Sequence, residues 1–148
     1  MRLTITTPLA IVIEASDIAH LRAEDDTGAF GILPGHADFL TALSVSVASW
    51  RDDRGAEHYV AVRGGVLEVR DGNTIAIATP EAVAGDDLHH LEYDVLAKFR
   101  CQLIEEQAAR TDAQRLYLAA IRQIVRFLRD ERSPAVAPMV APADGFAP

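Results

Sequence analysis

Apolar and polar residues alternate along much of the first half of the chain, and the apolar positions are rich in β-branched side chains. A period of two with β-branched residues predicts strands that bury one face. We therefore expect strands at residues 3–7, 10–15, 18–24, 45–50, 58–62, 65–70 and 74–78. Turn signals such as Asp71-Gly72-Asn73 separate them at close spacing, which is typical of a sandwich or barrel. Residues 1–85 are predicted to form an all-β sandwich domain.

The apolar period changes after Gly85 to steps of three and four, which predicts a helix. Its apolar stripe consists of Leu88, Leu91, Val95, Phe99 and Leu103. Asp86-Asp87 can cap this helix, and Thr111-Asp112 can cap a second one after a short break at Ala109-Arg110. Two helices joined by so short a connection fold back on each other. We expect an antiparallel α-helical hairpin over residues 86–132, with its second helix from about Ala113 to about Arg132.

The end of the chain, SPAVAPMVAPADGFAP, contains four prolines in sixteen residues and shows no periodicity. Such a composition cannot build a packed core. A disordered Pro/Ala-rich tail is predicted for residues 133–148.

The charge pattern limits the possible partners. A net charge of −8 repels nucleic-acid phosphates, so no nucleic-acid binding is expected. In the predicted second helix, Arg115, Arg122, Arg126 and Arg129 fall within a stripe about 60° wide. This stripe is either an ordinary solvated face or a docking surface for an acidic protein, because arginine suits bidentate contact with carboxylates.

Candidate catalytic or metal-binding chemistry is sparse. The five histidines show no metal-ligand spacing, and the adjacent pair His89-His90 would point about 100° apart on a helix. The lone Cys101 permits no internal disulfide. No nucleophile elbow occurs, and Gly31–His36 lacks the Gly-Lys-Ser/Thr of a phosphate loop. We expect no catalytic residues, no metal and no cofactor.

The sequence also shows neither a membrane-spanning segment nor a signal peptide. The chain has no apolar run long enough to span a membrane and no signal-peptide pattern at its start. On this basis a cytoplasmic protein is expected.

One stretch, GAFGILPGHADFLTAL at residues 28–43, resembles the loop-plus-strand signature of the ε subunit of bacterial F-type ATP synthases. Further stretches resemble the same family in the same order. They are the Gly-Gly strand around Gly64-Gly65, the run Thr74-Ile75-Ala76-Ile77-Ala78, and Gly85-Asp86-Asp87-Leu88 at the entry to the helical region. The resemblance covers roughly residues 2–130.

The resemblance implies a non-catalytic rotor subunit of the central stalk, which couples rotation of the c-ring to catalysis in the F1 head. It implies the γ subunit and the Fo c-ring as partners, transient contact of the hairpin with α and β that restrains ATP hydrolysis, and a peripheral position on the cytoplasmic face of the bacterial inner membrane. By this resemblance Ala29, Phe30 and Gly31 occupy the loop that meets the c-ring, and His36 lies near γ. The stripe Arg115, Arg122, Arg126 and Arg129 would then dock on the acidic C-terminal segment of β.

The chain departs from the family pattern at one ligand site. Some members bind ATP on the first helix through an Ile/Leu-Asp-x-x-Arg-Ala pattern, whereas the matching run here begins Leu88-His89 and has Glu92 in place of the arginine. A carboxylate repels phosphate, so we expect no ATP binding. Ser46 in place of the family's usual glycine, together with the long tail, suggests a divergent or second-copy rotary ATPase, of the alternate or sodium-type operons.

Two other interpretations stay open at this point. A stand-alone adaptor could use the helical hairpin to bind some other acidic protein. A cupin-type metal-dependent barrel would need a clustered set of histidine and carboxylate ligands, which the sequence lacks.

Overall fold

The computed structural model describes residues 1–130, and the predicted tail over residues 133–148 lies outside them, as do residues 131 and 132. The described strands are β1 (Arg2–Thr6), β2 (Ile11–Ala15), β3 (Ile18–Asp25), β4 (Gly28–Ile32), β5 (Phe39–Asp52), β6 (Glu57–Arg70), β7 (Thr74–Ala78) and β8 (Ala82–Gly85). The helical part follows as α1 (Leu88–His90), a π-helical turn (Leu91–Val95) and α2 (Leu96–Asp130). The chain divides into two compact units, the first over Met1–Glu106 and the second beginning at Gln107.

Two long antiparallel strands, β5 and β6, form the centre of the sandwich. Hydrogen-bonded neighbours follow the order β2-β1-β7-β6-β5-β3-β4, and β8 pairs with β6 outside this path. Strand β6 pairs with β8 through residues 59–62 and with β7 through residues 66–70. Its two halves therefore belong to different layers, and the predicted β-sandwich fold is confirmed.

The change of partner along β6 occurs at Gly64 and Gly65, which have φ angles of +73° and +119°. Side chains other than glycine rarely adopt these angles. A Cβ atom on Gly65 would also overlap the carbonyl oxygen of Ala78. Two consecutive glycines thus let one strand bend from the first layer into the second.

One apolar cluster fills the space between the layers. Each strand contributes alternate residues, as in β7, where Ile75 and Ile77 are buried and their neighbours are exposed. Other fully buried members of the cluster are Leu3, Ile5, Leu21, Ile32, Val60, Val62 and Leu67. Removing such a side chain from water contributes about 1.5–3 kcal/mol, so this alternation is what makes the strands stable as a sandwich.

Several strand boundaries differ from the sequence-based expectation. Strands β4 and β8 were not predicted, β5 begins at Phe39 rather than at residue 45, and residues 58–62 and 65–70 are parts of the single strand β6. Strand β4 reads Gly-Ala-Phe-Gly-Ile and has little β-propensity of its own. It is extended because five of its residues pair with β3, and a tertiary ladder of this kind cannot be seen in the local sequence.

The helical part begins at the N-cap Asp87, whose carboxylate accepts hydrogen bonds from the amides of His89 at 2.9 Å and His90 at 3.3 Å. Leu91, Leu96 and Phe99 are buried with Ala61 of β6 in a second, smaller apolar cluster. Leu91 and Leu96 are five residues apart, a spacing that turns about 140° around the axis of a regular α-helix. The wider π-helical turn brings both side chains onto the face that packs on the sheet.

The predicted apolar stripe is therefore partly wrong. Leu91 and Phe99 are buried as predicted and Val95 is half-buried, but Leu88 and Leu103 are exposed, and Leu96 takes a buried position that the regular period did not assign. The stripe assumed an uninterrupted α-helical period, which the π-helical turn shifts by one residue.

The predicted helical hairpin is corrected by the structure. Helix α2 runs without interruption from Leu96 to Asp130, through the expected break at Ala109-Arg110. The helix continues here because this stretch consists of good helix formers. The Thr111 hydroxyl donates to the carbonyl oxygen of Gln107 at 2.9 Å and does not cap a new helix. The helical character of residues 88–130 is confirmed, but the turn is not present.

Candidate interaction surfaces

The first surface is strand β4, which contains Ala29, Phe30 and Gly31. The structure places these residues in an edge strand, not in the loop that the sequence predicted. Ala29 and Gly31 are exposed, whereas Phe30 is half-buried and packs edge-on against Phe39 with ring centroids 5.6 Å apart. The outward face of β4 is therefore formed by small residues and backbone.

Close packing holds β4 in place. A Cβ on Gly31 would lie 2.9 Å from Nε2 of His20 on β3, so a larger residue at this position would displace the imidazole. No sequence signal marked His20 as a neighbour of Gly31, because the pairing of β3 with β4 sets their register.

Asp25 links the β3–β4 turn to β5. Its carboxylate accepts hydrogen bonds from the hydroxyl and amide of Thr27, at 2.6 and 2.8 Å, and from the hydroxyl of Thr41 at 2.8 Å. These bonds, with the Thr27 hydroxyl as the largest cause, hold the pKa of Asp25 below its ordinary value.

The second surface is the tight turn around His36, which joins β4 to β5. The His36 amide donates to the carbonyl oxygen of Leu33 at 3.1 Å, and the Gly35 amide donates to the carbonyl oxygen of Gly72 at 2.8 Å. The imidazole is half-buried against Phe39, with ring centroids 5.7 Å apart, and its Nδ1 lies 2.8 Å from the carbonyl oxygen of Ala37. Leu33 in this turn and Leu40 in the following strand β5 have exposed side chains.

A hollow with both polar and apolar lining lies on the outer face of β3, β5 and β6. It has a volume of about 270 Å³ and is lined in part by Arg51, Glu57 and Tyr59. The Arg51 guanidinium, 2.6 Å from the carboxylate, is the main cause of a lowered pKa of Glu57. The hydrogen bond to Glu57 raises the pKa of the Tyr59 phenol in turn. The charges of Arg51 and Glu57 thus form an ion pair with each other.

The third surface is the outer part of helix α2. Arg115, Arg122, Arg126 and Arg129 are all exposed, and the acid-free segment from Ala113 to Arg129 holds all four. Arg115 lies 3.8 Å from Asp112, and both side chains are solvated, so this pair contributes little. The apolar side of the same segment is also exposed; its large side chains are Leu116, Tyr117, Leu118, Ile121, Ile124, Val125, Phe127 and Leu128.

The run that replaces the family's ATP pattern lies at the start of the helical part. His89 stacks on Tyr93 with ring centroids 4.3 Å apart, and the Nδ1 atom of His90 lies 2.8 Å from the Asp94 carboxylate. Glu92 is exposed in the π-helical turn. The absence of ATP binding stays a prediction.

Within residues 1–130, no three His, Cys, Asp or Glu side chains lie close enough together to hold a metal ion. In the same range, no helix combines the length and apolar character that crossing a bilayer requires.

The structure thus combines a β-sandwich that has a small-residue edge strand with a helix that exposes both apolar side chains and arginines. The family model of the beta-sandwich domain of the ATP synthase delta/epsilon chain matches residues 1–85. The chain belongs to this ATP synthase family, and the resemblance drawn from the sequence is confirmed.

Relatives match over nearly the whole chain. The "ATP synthase epsilon chain 2" of Paraburkholderia xenovorans is 42% identical, over 91% of this chain and 97% of the relative. The protein of the same name from Cereibacter sphaeroides is 40% identical, over 90% of each chain. Among solved structures, a chain of the Euglena gracilis mitochondrial ATP synthase aligns with a TM-score of 0.55 and 24% identity, over 72% of this chain and 62% of that one. The structural likeness supports the fold.

Proposed function

We propose that this chain is the ε-type central-stalk subunit of a bacterial F1Fo ATP synthase and couples rotation of the c-ring to the catalytic head without doing chemistry itself. The single observation that supports this most strongly is the match to epsilon chains over at least nine-tenths of both sequences. The complex would place the chain peripherally on the cytoplasmic face of the inner membrane. Both relatives bear the number 2 in their names, which supports our interpretation of a second-copy ATPase.

The edge strand β4 is the surface that we propose for the c-ring. Its exposed residue Ala29 has a small side chain, so another protein can approach the backbone closely at this position. A cysteine at Ala29, in a Cys101→Ser background, should form cross-links to subunit c in the native complex. A cysteine at Glu14, exposed on the opposite edge strand β2, is the matched control. Equal cross-linking at both positions would contradict the assignment.

The turn around His36 is the surface that we propose for γ. It combines a rigid backbone with the exposed side chains of Leu33 and Leu40, and burial of such side chains is the usual source of affinity at a stable interface. Leu40→Asp should reduce the recovery of γ with the chain, whereas Ala29→Asp should leave it unchanged.

The outer part of helix α2 is the segment that we propose restrains ATP hydrolysis through contact with α and β. Its arginines complement the acidic C-terminal segment expected in β, and its exposed apolar side chains require a partner in the assembled enzyme.

Truncation of the chain in the purified complex tests this function. Cutting after Asp87 would remove Leu91, Leu96 and Phe99, which cover the sheet, so a stop after Glu106 is the cleaner choice. This variant should retain assembly with γ, β and c and should hydrolyse ATP several-fold faster. A stop after Arg132, which removes only the tail, should leave the rate unchanged. Failure of the full chain to co-purify with these subunits would overturn the central-stalk assignment and favour an adaptor.

A further inference from the structure

One half-buried cation connects helix α2 to the sandwich. Arg63 lies on β6 beside the Gly64-Gly65 bend, and only 16% of its side chain is exposed. Its Nη1 lies 2.5 Å from Oε1 of Glu106 on α2, and its Nε lies 3.6 Å from Oε2 of Glu81, which precedes β8. Among the residues that the structure describes, no other ion pair joins this helix to the strands.

The apolar attachment of the same helix is short. Buried contact with the sheet involves Leu91, Leu96 and Phe99. Gln102 is half-buried, and from Leu103 to Arg129 every described side chain of the helix is exposed. In residues 100–106 no side chain is fully buried, and the pair of Arg63 with Glu106 is the ion pair that joins these turns to the sandwich.

The environment of Arg63 favours a carboxylate partner. A guanidinium with so little solvent needs compensation by opposite charge and hydrogen bonds. Its Nε is buried and has no hydrogen-bond partner within residues 1–130. The Arg63 Nη1 donates a short hydrogen bond to Glu106. The Glu81 carboxylate is too far from Nε to accept a hydrogen bond from it.

We propose that Arg63 is a positioning residue and that its pair with Glu106 is an electrostatic latch, which fixes the residue at which helix α2 leaves the sandwich. Breaking the latch frees the turns between Phe99 and Glu106 while the sandwich stays folded. The inference goes beyond the proposed function and does not depend on it, because the latch is a property of the isolated chain.

Hydrogen exchange of the full-length isolated chain tests the latch. Glu106→Gln should raise the exchange rates of the amides of residues 100–106 by about tenfold, whereas the amides of β1 and β7 should not change. Glu105→Gln is the matched control, because Glu105 is the adjacent exposed carboxylate and contacts only the Cys101 Sγ, at 3.7 Å, among its described hydrogen-bond partners. It should leave all of these rates unchanged.

Salt and a second substitution separate a latch from a general loss of helix stability. About 1 M salt should raise exchange in residues 100–106 of the wild type but have little effect in Glu106→Gln, because screening acts on the ion pair. Arg63→Gln should add little to Glu106→Gln if both remove the same interaction. Equal effects of Glu105→Gln and Glu106→Gln, or an identical salt response in wild type and Glu106→Gln, would overturn the proposal. If Arg63→Gln fails to fold, the glutamate variants and the salt response decide alone.

Discussion

At the scale of single residues, Gly65 has the least room for a Cβ atom among the glycines that the structure describes. Its φ of +119° and the Ala78 carbonyl beside it leave no room for a Cβ. We expect Gly65→Ala to lower the free energy of unfolding by about 3 kcal/mol or more, from strain and backbone displacement together. Gly55→Ala is the control, because Gly55 also has a positive φ of +87° but no atoms within 4 Å of its would-be Cβ. Chemical denaturation should show a loss of only about 1 kcal/mol for the control; equal losses would contradict the clash.

Asp25 makes stability depend on pH. Its hydrogen bonds with Thr27 and Thr41 lower its pKa in the folded state, so the unfolded chain binds a proton more readily. This contribution is present above the ordinary carboxyl pKa of about 4 and disappears as the pH falls through the folded value. Asp25→Asn should therefore melt below the wild type at pH 7, and the two melting curves should converge in acid. Asp86→Asn, outside this network, should show no such convergence, and a constant difference for Asp25→Asn would refute the linkage.

Glu92 bears on nucleotide binding. Its exposed carboxylate stands where some family members have a phosphate-pairing arginine, and like charges repel. Calorimetry of the isolated chain with ATP should give no binding heat. Tight ATP binding that is abolished by Leu88→Ala would contradict this prediction, because it would show that the site binds ATP without the arginine.

At the scale of elements, the π-helical turn decides which face of the helix is buried. Deleting Glu92 would make Leu91 and Leu96 four residues apart, and Leu91 and Phe99 seven apart, which is the spacing of one face of a regular α-helix. We expect this deletion to be tolerated. Deleting the exposed Ala97 instead would turn Phe99 about 100° away from Leu96.

Hydrogen exchange distinguishes the two deletions. Removal of Ala97 should abolish protection of the helix and leave the sandwich protected, whereas removal of Glu92 should preserve both. Equal loss of helix protection in both variants would contradict this explanation. It would mean that attachment of the helix requires the π-helical turn itself, and not only the placement of Leu91, Leu96 and Phe99 on one face.

At the scale of the whole molecule, the charge is distributed unevenly along the chain. The overall charge is −8, yet the helix segment from Ala113 to Arg129 contains four arginines and no acid. Reversing Arg122 and Arg126 to glutamate should turn attraction to an acidic partner into repulsion, and should raise the ATPase rate of the complex as far as truncation after Glu106 does. Arg122→Lys with Arg126→Lys keeps the charge and should have a smaller effect. An unchanged rate in the glutamate variant would assign the restraint to the apolar side chains.

The sequence by itself determined the class of the fold and the family. The alternation in residues 74–78 and the change of period after Gly85 are local signals, and the structure confirms both as strand β7 and as helix. The surfaces at Ala29, Phe30, Gly31 and His36 came only from the resemblance, and their partners stay a prediction.

Tertiary structure alone decided the details that position these surfaces. Pairing with β3 made a strand of Gly28–Ile32, and burial against Ala61 selected the π-helical turn and Leu96. The latch joins Arg63 and Glu106, which are 43 positions apart, so no local sequence pattern predicts it. Periodicity reports which side of an element is apolar, but contacts between distant parts of the chain determine where the element ends, which register it takes and which charges meet.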